Sequence, residues 1–152
     1  MELFDKYTAC VDKLINKSTQ SNVVLKQMGR RYSLVNVTNT WSLTKVIVEN
    51  CITKGKGEKG CEAILIAEKH EEKTKGFYVE LKGCSVGDAF KQIENSLNKT
   101  VGMLKGAVLS GRVIPSEYKR NRFLGAHEQR LILRFKKLGG NFIVRENYED
   151  TI

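Results

Sequence analysis

Proline occurs once in this 152-residue chain, tryptophan once and histidine twice. A single proline excludes a proline-rich linker and argues against a loop-dominated fold. The two histidines, His70 and His127, have no nucleophile beside them, so a serine or cysteine hydrolase triad has no support. The four cysteines, Cys10, Cys51, Cys61 and Cys84, form no CxxC pair. That spacing argues against a zinc site, and the residues read as reduced thiols. No apolar run approaches the roughly 20 residues that a membrane-spanning helix needs. A continuous basic amphipathic helix of the kind that lies on a bilayer is also missing. Residues 1–6 lack the basic-then-apolar order of a signal peptide. The expectation is a cytoplasmic protein with no membrane partner.

Hydrophobic residues make up 41% of the chain and charged residues 28%, the balance of a globular protein. The length suits one domain over residues 1–152 with one proper core. The formal net charge is +9. Part of such a surplus serves solubility, and part favours a polyanionic partner such as nucleic acid.

Apolar residues recur at helical spacing from residue 3 to about 17, and residues 22–28 suggest a second short helix. Segments 31–38 and 41–51 read as strands, the second rich in β-branched residues. Lys54-Gly55-Lys56-Gly57-Glu58-Lys59-Gly60 lacks the spacing of a phosphate loop and no helix follows it. It reads as a mobile hairpin loop whose Lys54, Lys56 and Lys59 can meet a nucleic-acid backbone. Segments 61–67 and 77–82 are strands joined by a polar loop. Val86, Phe90, Ile93, Leu97, Val101 and Leu104 then step along one helical face. A strand over 107–115, a helix stopped at Gly139-Gly140 and a short strand over 141–145 complete the order. The fold class is α/β with a mixed sheet, hairpins first and a helical crossover afterwards.

One acid stands out: Glu62, embedded in an otherwise apolar strand, where a charge needs a partner or a task. The next strand carries Val79-Glu80-Leu81-Lys82-Gly83. Alternation puts Glu80 and Lys82 on one face. If the two strands form a hairpin, all three charges converge at one sheet edge. Two carboxylates with open water positions suit a hard divalent cation, and Lys82 would then orient water or stabilise phosphate charge. The plainer reading is a strand-start glutamate beside a surface Glu–Lys pair. Glu49 reads as the exposed end of a strand, with a further site acid as the alternative.

This combination resembles the core of the PD-(D/E)xK nuclease superfamily: an embedded acid, a hairpin-length gap, an apolar strand ending in ExKG, and a helix directly after. The resemblance implies a restriction-endonuclease-like αβββαβ core with a central mixed sheet flanked by helices. It implies metal-dependent phosphodiester hydrolysis on nucleic acid, with DNA the expected form, by an endonuclease or resolvase-like enzyme. Glu62 and Glu80 would be the metal ligands, for Mg2+ or Mn2+, and Lys82 the catalytic lysine. The first acid is normally an aspartate, so Glu62 departs from the pattern by one methylene. Members also carry a polar residue on the crossover helix facing the site, for which Gln92 fits; helical geometry alone suits a solvent-facing glutamine equally well. An acid in the first helix would be Glu2. The family often works as a homodimer. Lys119, Arg120 and Arg122, with Arg130, Arg134, Lys136 and Lys137 on the last helix, would follow a phosphate backbone, and Arg112 would reach a phosphate nearer the site; taken singly, each reads more plainly as a solvated face. The alternative is a catalytically inactive module of the same fold that binds nucleic acid or a protein partner.

Overall fold

The structure, a computed structural model, describes residues 2–12, 22–54, 57–83, 85–116 and 125–152. A 3₁₀ segment, Glu2–Cys10, leads into β1 (Val11–Asp12); β2 (Asn22–Gln27), β3 (Arg30–Val35), β4 (Ser42–Ile47), β5 (Ala63–Glu68) and β6 (Lys75–Lys82) follow. After these come α1 (Val86–Thr100), a 3₁₀ turn (Val101–Leu104), β7 (Val108–Pro115), α2 (Gly125–Lys137), β8 (Gly139–Val144) and β9 (Tyr148–Thr151). The central sheet has the order β1-β4-β5-β6-β7-β8. Its first four strands pair antiparallel, whereas β7 runs parallel to both β6 and β8. The mixed α/β class is therefore as expected, with α1 crossing over between the parallel strands β6 and β7.

Strand alternation divides the apolar residues between two cores. Ile64, Ile66, Tyr78 and Val113 face the helices and pack with Phe90, Ile93 and Phe135. Leu65, Val79, Leu81 and Ile114 face the other way, onto Tyr32, Leu34 and Trp41. The helix-side layer closes over Gly111, where an added methyl would come within 2.6 Å of the Phe135 ring. That missing side chain lets Phe135 and Phe142 stack with centroids 5.8 Å apart.

A second sheet, β2-β3-β9, covers the other core, and the sequence reading missed it. Of residues 22–28, expected to be helical, 22–27 form β2 instead and Met28 begins the turn that follows. Val23 and Leu25 point inward while Val24 and Lys26 point out, a period of two that so short a segment barely distinguishes from a helical turn. The β2–β3 hairpin turns through Met28 and Gly29, both at positive φ (46° and 81°), as in a type I′ turn. Strand β9 then pairs parallel to β3, from Tyr32↔Tyr148 to Val35↔Thr151. Tyr32 donates its hydroxyl hydrogen to Asp150 Oδ2 (2.7 Å), and Arg112 from β7 grips the same carboxylate through Nε (2.6 Å) and Nη2 (3.0 Å). This network pins the second sheet to the central one.

Two expectations at the N-terminus are corrected. The first helix is 3₁₀ and stops at Cys10, because Val11 and Asp12 pair with Val46 and Lys45 as an edge strand. The cysteines are not all reduced thiols: Cys10 and Cys51 form a disulfide across 41 residues of chain. Cys61 is free and buried, and Cys84 lies outside the described residues. Closing a loop of that size restricts the unfolded chain by up to about 4 kcal/mol. Reduction, or Cys51→Ser, should therefore lower the urea midpoint clearly at neutral pH. An unchanged midpoint, with thiol titration showing all four cysteines accessible in the unfolded unreduced protein rather than two, would rule the pairing out. Among the described residues no helix is long and apolar enough to cross a membrane.

Candidate active site

Strands β5 and β6 are neighbours, with Ala63 opposite Val79 and Ile64 opposite Tyr78. One step further along the ladder, Glu62 stands across from Glu80. Glu80 shares the helix-facing side of β6 with Tyr78, and Lys82, two residues on, extends the same row. Glu62 itself is not embedded in a strand, as its apolar neighbours suggested. It sits half-buried at a bend just before β5 begins.

Helix α1 holds the approach to that bend with three polar side chains on one edge. Asn95 Nδ2 donates to the Lys59 carbonyl (3.0 Å), Gln92 Nε2 to the Gly60 carbonyl (3.0 Å), and Ser96 Oγ accepts the Cys61 backbone N–H (2.8 Å). Gln92 Nε2 also reaches Glu49 Oε2 at 3.4 Å. Two acceptors on its nitrogen fix the orientation of the Gln92 amide. Its Oε1 is thereby turned away from both, buried and without a hydrogen-bond partner. Gln92 is buried rather than solvent-facing, and Glu49 is half-buried rather than the exposed end of a strand.

These residues line one open cavity of about 310 Å³: Glu49, Glu62, Glu80, Lys82 and Gln92, joined by the backbone around Gly83. Glu80 is only 5% exposed, and its Oε2 has no hydrogen-bond partner. Its carboxyl is pushed up to about 8, chiefly by burial and then by the charge of Glu62, with a smaller push from Glu49. Lys82 and the backbone N–H of Glu62 work the other way. Near neutral pH the site therefore carries a protonated carboxyl that a nearby cation would ionise. Cys61, directly beneath, is not a rival nucleophile, since burial pushes its thiol pKa far up.

The proposed phosphate contacts fare unevenly. Arg112 does not reach the site. Parity places it with Ile114 on the face opposite Val113, where Asp150 and the Gly111 and Asn141 carbonyls occupy its guanidinium. It is a buried structural arginine. Lys54 and Lys59 are exposed, and Lys59 borders a smaller groove that shares Gln92 with the main cavity. Lys56, Lys119, Arg120 and Arg122 lie outside the described residues, as does the side chain of Glu2. On α2, Arg130, Lys136 and Lys137 are exposed and Arg134 is half-buried.

Two lining residues were not anticipated: Gln27 and Arg30, which flank the turn of the β2–β3 hairpin. Once 22–27 is a strand, its partner's first residue is placed by the turn, and only the missed hairpin hid them. Comparison with protein-family models, curated proteins and solved structures finds no match.

Proposed function

We propose that this protein is a divalent-metal-dependent nuclease acting on DNA, with Glu62 and Glu80 as the metal ligands. The observation that carries the reading is the buried, unpartnered Oε2 of Glu80, set opposite a second carboxylate and beside a lysine in one open cavity. The unpartnered Oε1 of Gln92 adds another hard oxygen. As the side chains stand, no three His, Cys, Asp or Glu residues among those described meet closely enough to hold an ion. Magnesium commonly takes only one or two carboxylates and keeps several waters, so a two-carboxylate site fits it.

When bound, such an ion lowers the pKa of a coordinated water and neutralises phosphate charge. The chain's own residues supply the rest. Glu62 and Glu80 face each other across the ladder and provide the negative field. Gln92 holds Glu49 and the Gly60 carbonyl in place, which fixes the bend carrying Glu62. Lys82 places an ammonium where it can orient the attacking water and meet charge developing on the phosphoryl oxygens. The net charge of +9 favours a polyanionic substrate. A homodimer, implied by the resemblance of the ExKG strand and its helix to PD-(D/E)xK nucleases, belongs to the proposal and is measured by sedimentation.

Calorimetric titration of magnesium or manganese tests the reading. Wild type should bind at millimolar metal and nick supercoiled or branched DNA, and Glu80→Ala should do neither. No divalent binding, with wild type and variant equally inert on both DNAs, would sink it. Salt-sensitive DNA binding retained under those conditions would identify an inactive nucleic-acid-binding module instead.

A further inference from the structure

We propose that Arg30 is a substrate-binding residue that grips a phosphate of the DNA backbone, making the β2–β3 hairpin an arm of the active site. The inference rests on the nuclease reading of the same cavity. Arg30 opens β3 directly after the Met28-Gly29 turn and enters the cavity from the second sheet. A methyl group on Gly83 would stand 3.7 Å from Arg30 Nη1, so the guanidinium lies over the backbone that follows Lys82. Its Nε is buried and without a hydrogen-bond partner, and no carboxylate among the described residues forms a salt bridge with it. A guanidinium held beside three glutamates yet paired with none has donors to spare. Its planar fork matches the paired oxygens of a phosphate.

The charges agree. Arg30 and Lys82 line the same cavity as Glu49, Glu62 and Glu80. Add one divalent ion and the site is left with a single positive charge, which one phosphodiester neutralises. The arm is also firmly seated. Its two-residue turn leaves little slack, and Tyr32, two residues beyond Arg30, is tied through Asp150 to Arg112 of the central sheet. Met28 at the tip is 85% exposed, so the turn is open to an approaching strand.

The test measures binding of a short labelled DNA duplex by fluorescence anisotropy over a range of salt concentrations, with calcium replacing magnesium to hold the substrate uncleaved. Arg30→Ala should weaken binding about tenfold and reduce the salt slope by about one phosphate contact. Arg30→Lys should keep the slope and recover part of the affinity. Thermal melts of both variants confirm that the hairpin is intact, and Arg30→Gln replaces Arg30→Ala if the latter melts early. Unchanged affinity and slope in a folded Arg30→Ala, in a protein that does cleave, would overturn this inference and leave the nuclease reading standing. A reduced slope in a protein that never cleaves would uphold Arg30 and discard the nuclease. A wild type that binds no DNA at low salt overturns both.

Discussion

Lys82→Ala is expected to reduce the single-turnover cleavage rate by about a thousandfold while leaving DNA affinity within about threefold. The asymmetry follows from the position of the lysine. Lys82 ends β6 on the side that carries Glu80, lining the cavity, and in the ground state its charge only lessens the crowding of the nearby carboxylates. Its proposed work lies in the transition state, where charge builds on the phosphoryl oxygens, so its removal falls on kcat and not on binding. Lys82→Arg should recover little, because a planar guanidinium cannot stand in for a compact ammonium at a fixed point. Equal losses of affinity and rate would assign Lys82 to substrate binding and remove it from the chemistry.

The second large effect is on stability. Glu80→Gln should raise the melting temperature at pH 9 and leave it nearly unchanged at pH 4. A glutamate in the unfolded chain titrates near 4.3, whereas burial and Glu62 push the folded carboxyl up to about 8. Below the lower value Glu80 is protonated in both states and makes no difference. Between the two values the folded protein holds a proton that the unfolded chain has released, so stability drains away as pH rises. Above about 8 the folded protein carries the full cost of a buried carboxylate, and glutamine escapes it. The gain should be of the order of 5 kcal/mol, or about 10–20 °C for a domain of this size. Millimolar magnesium should shrink the difference, since a bound cation favours the ionised form of Glu80. Identical melting curves at pH 9 without metal would mean that Glu80 is better solvated than its burial implies.

What could be read from the sequence was whatever depended on near neighbours. Strands β5 and β6 are apolar runs joined by a short loop, so their antiparallel pairing, and with it the meeting of Glu62 and Glu80, followed from adjacency. The stripe from Val86 to Leu97 identified α1 and offered Gln92 on its flank. Distant pairings left no such trace. Strand β9 has an unremarkable alternation, Tyr-Glu-Asp-Thr, and its partner lies more than a hundred residues earlier. Arg112 read as a phosphate contact because parity within β7 says which residues share a face but not which face meets the helices. The Cys10–Cys51 pairing likewise depends on an edge strand that periodicity read as part of a helix. Arg30 followed from none of the motifs, since the turn before it is Met-Gly rather than the Asn-Gly that marks such hairpins.

The parallel pairing of β3 with β9 also has a consequence for how the chain is made. Tyr32 leaves the ribosome 116 residues before its partner Tyr148. At 5–20 residues per second that is a wait of roughly 6–23 seconds, during which β3 has one open edge and the hairpin has no fixed seat. Contacts of such long range slow folding, and an unpaired edge invites the wrong strand. The hairpin beside the cavity is therefore among the last parts of the molecule to be set in place, after Glu62 and Glu80 have already been brought together.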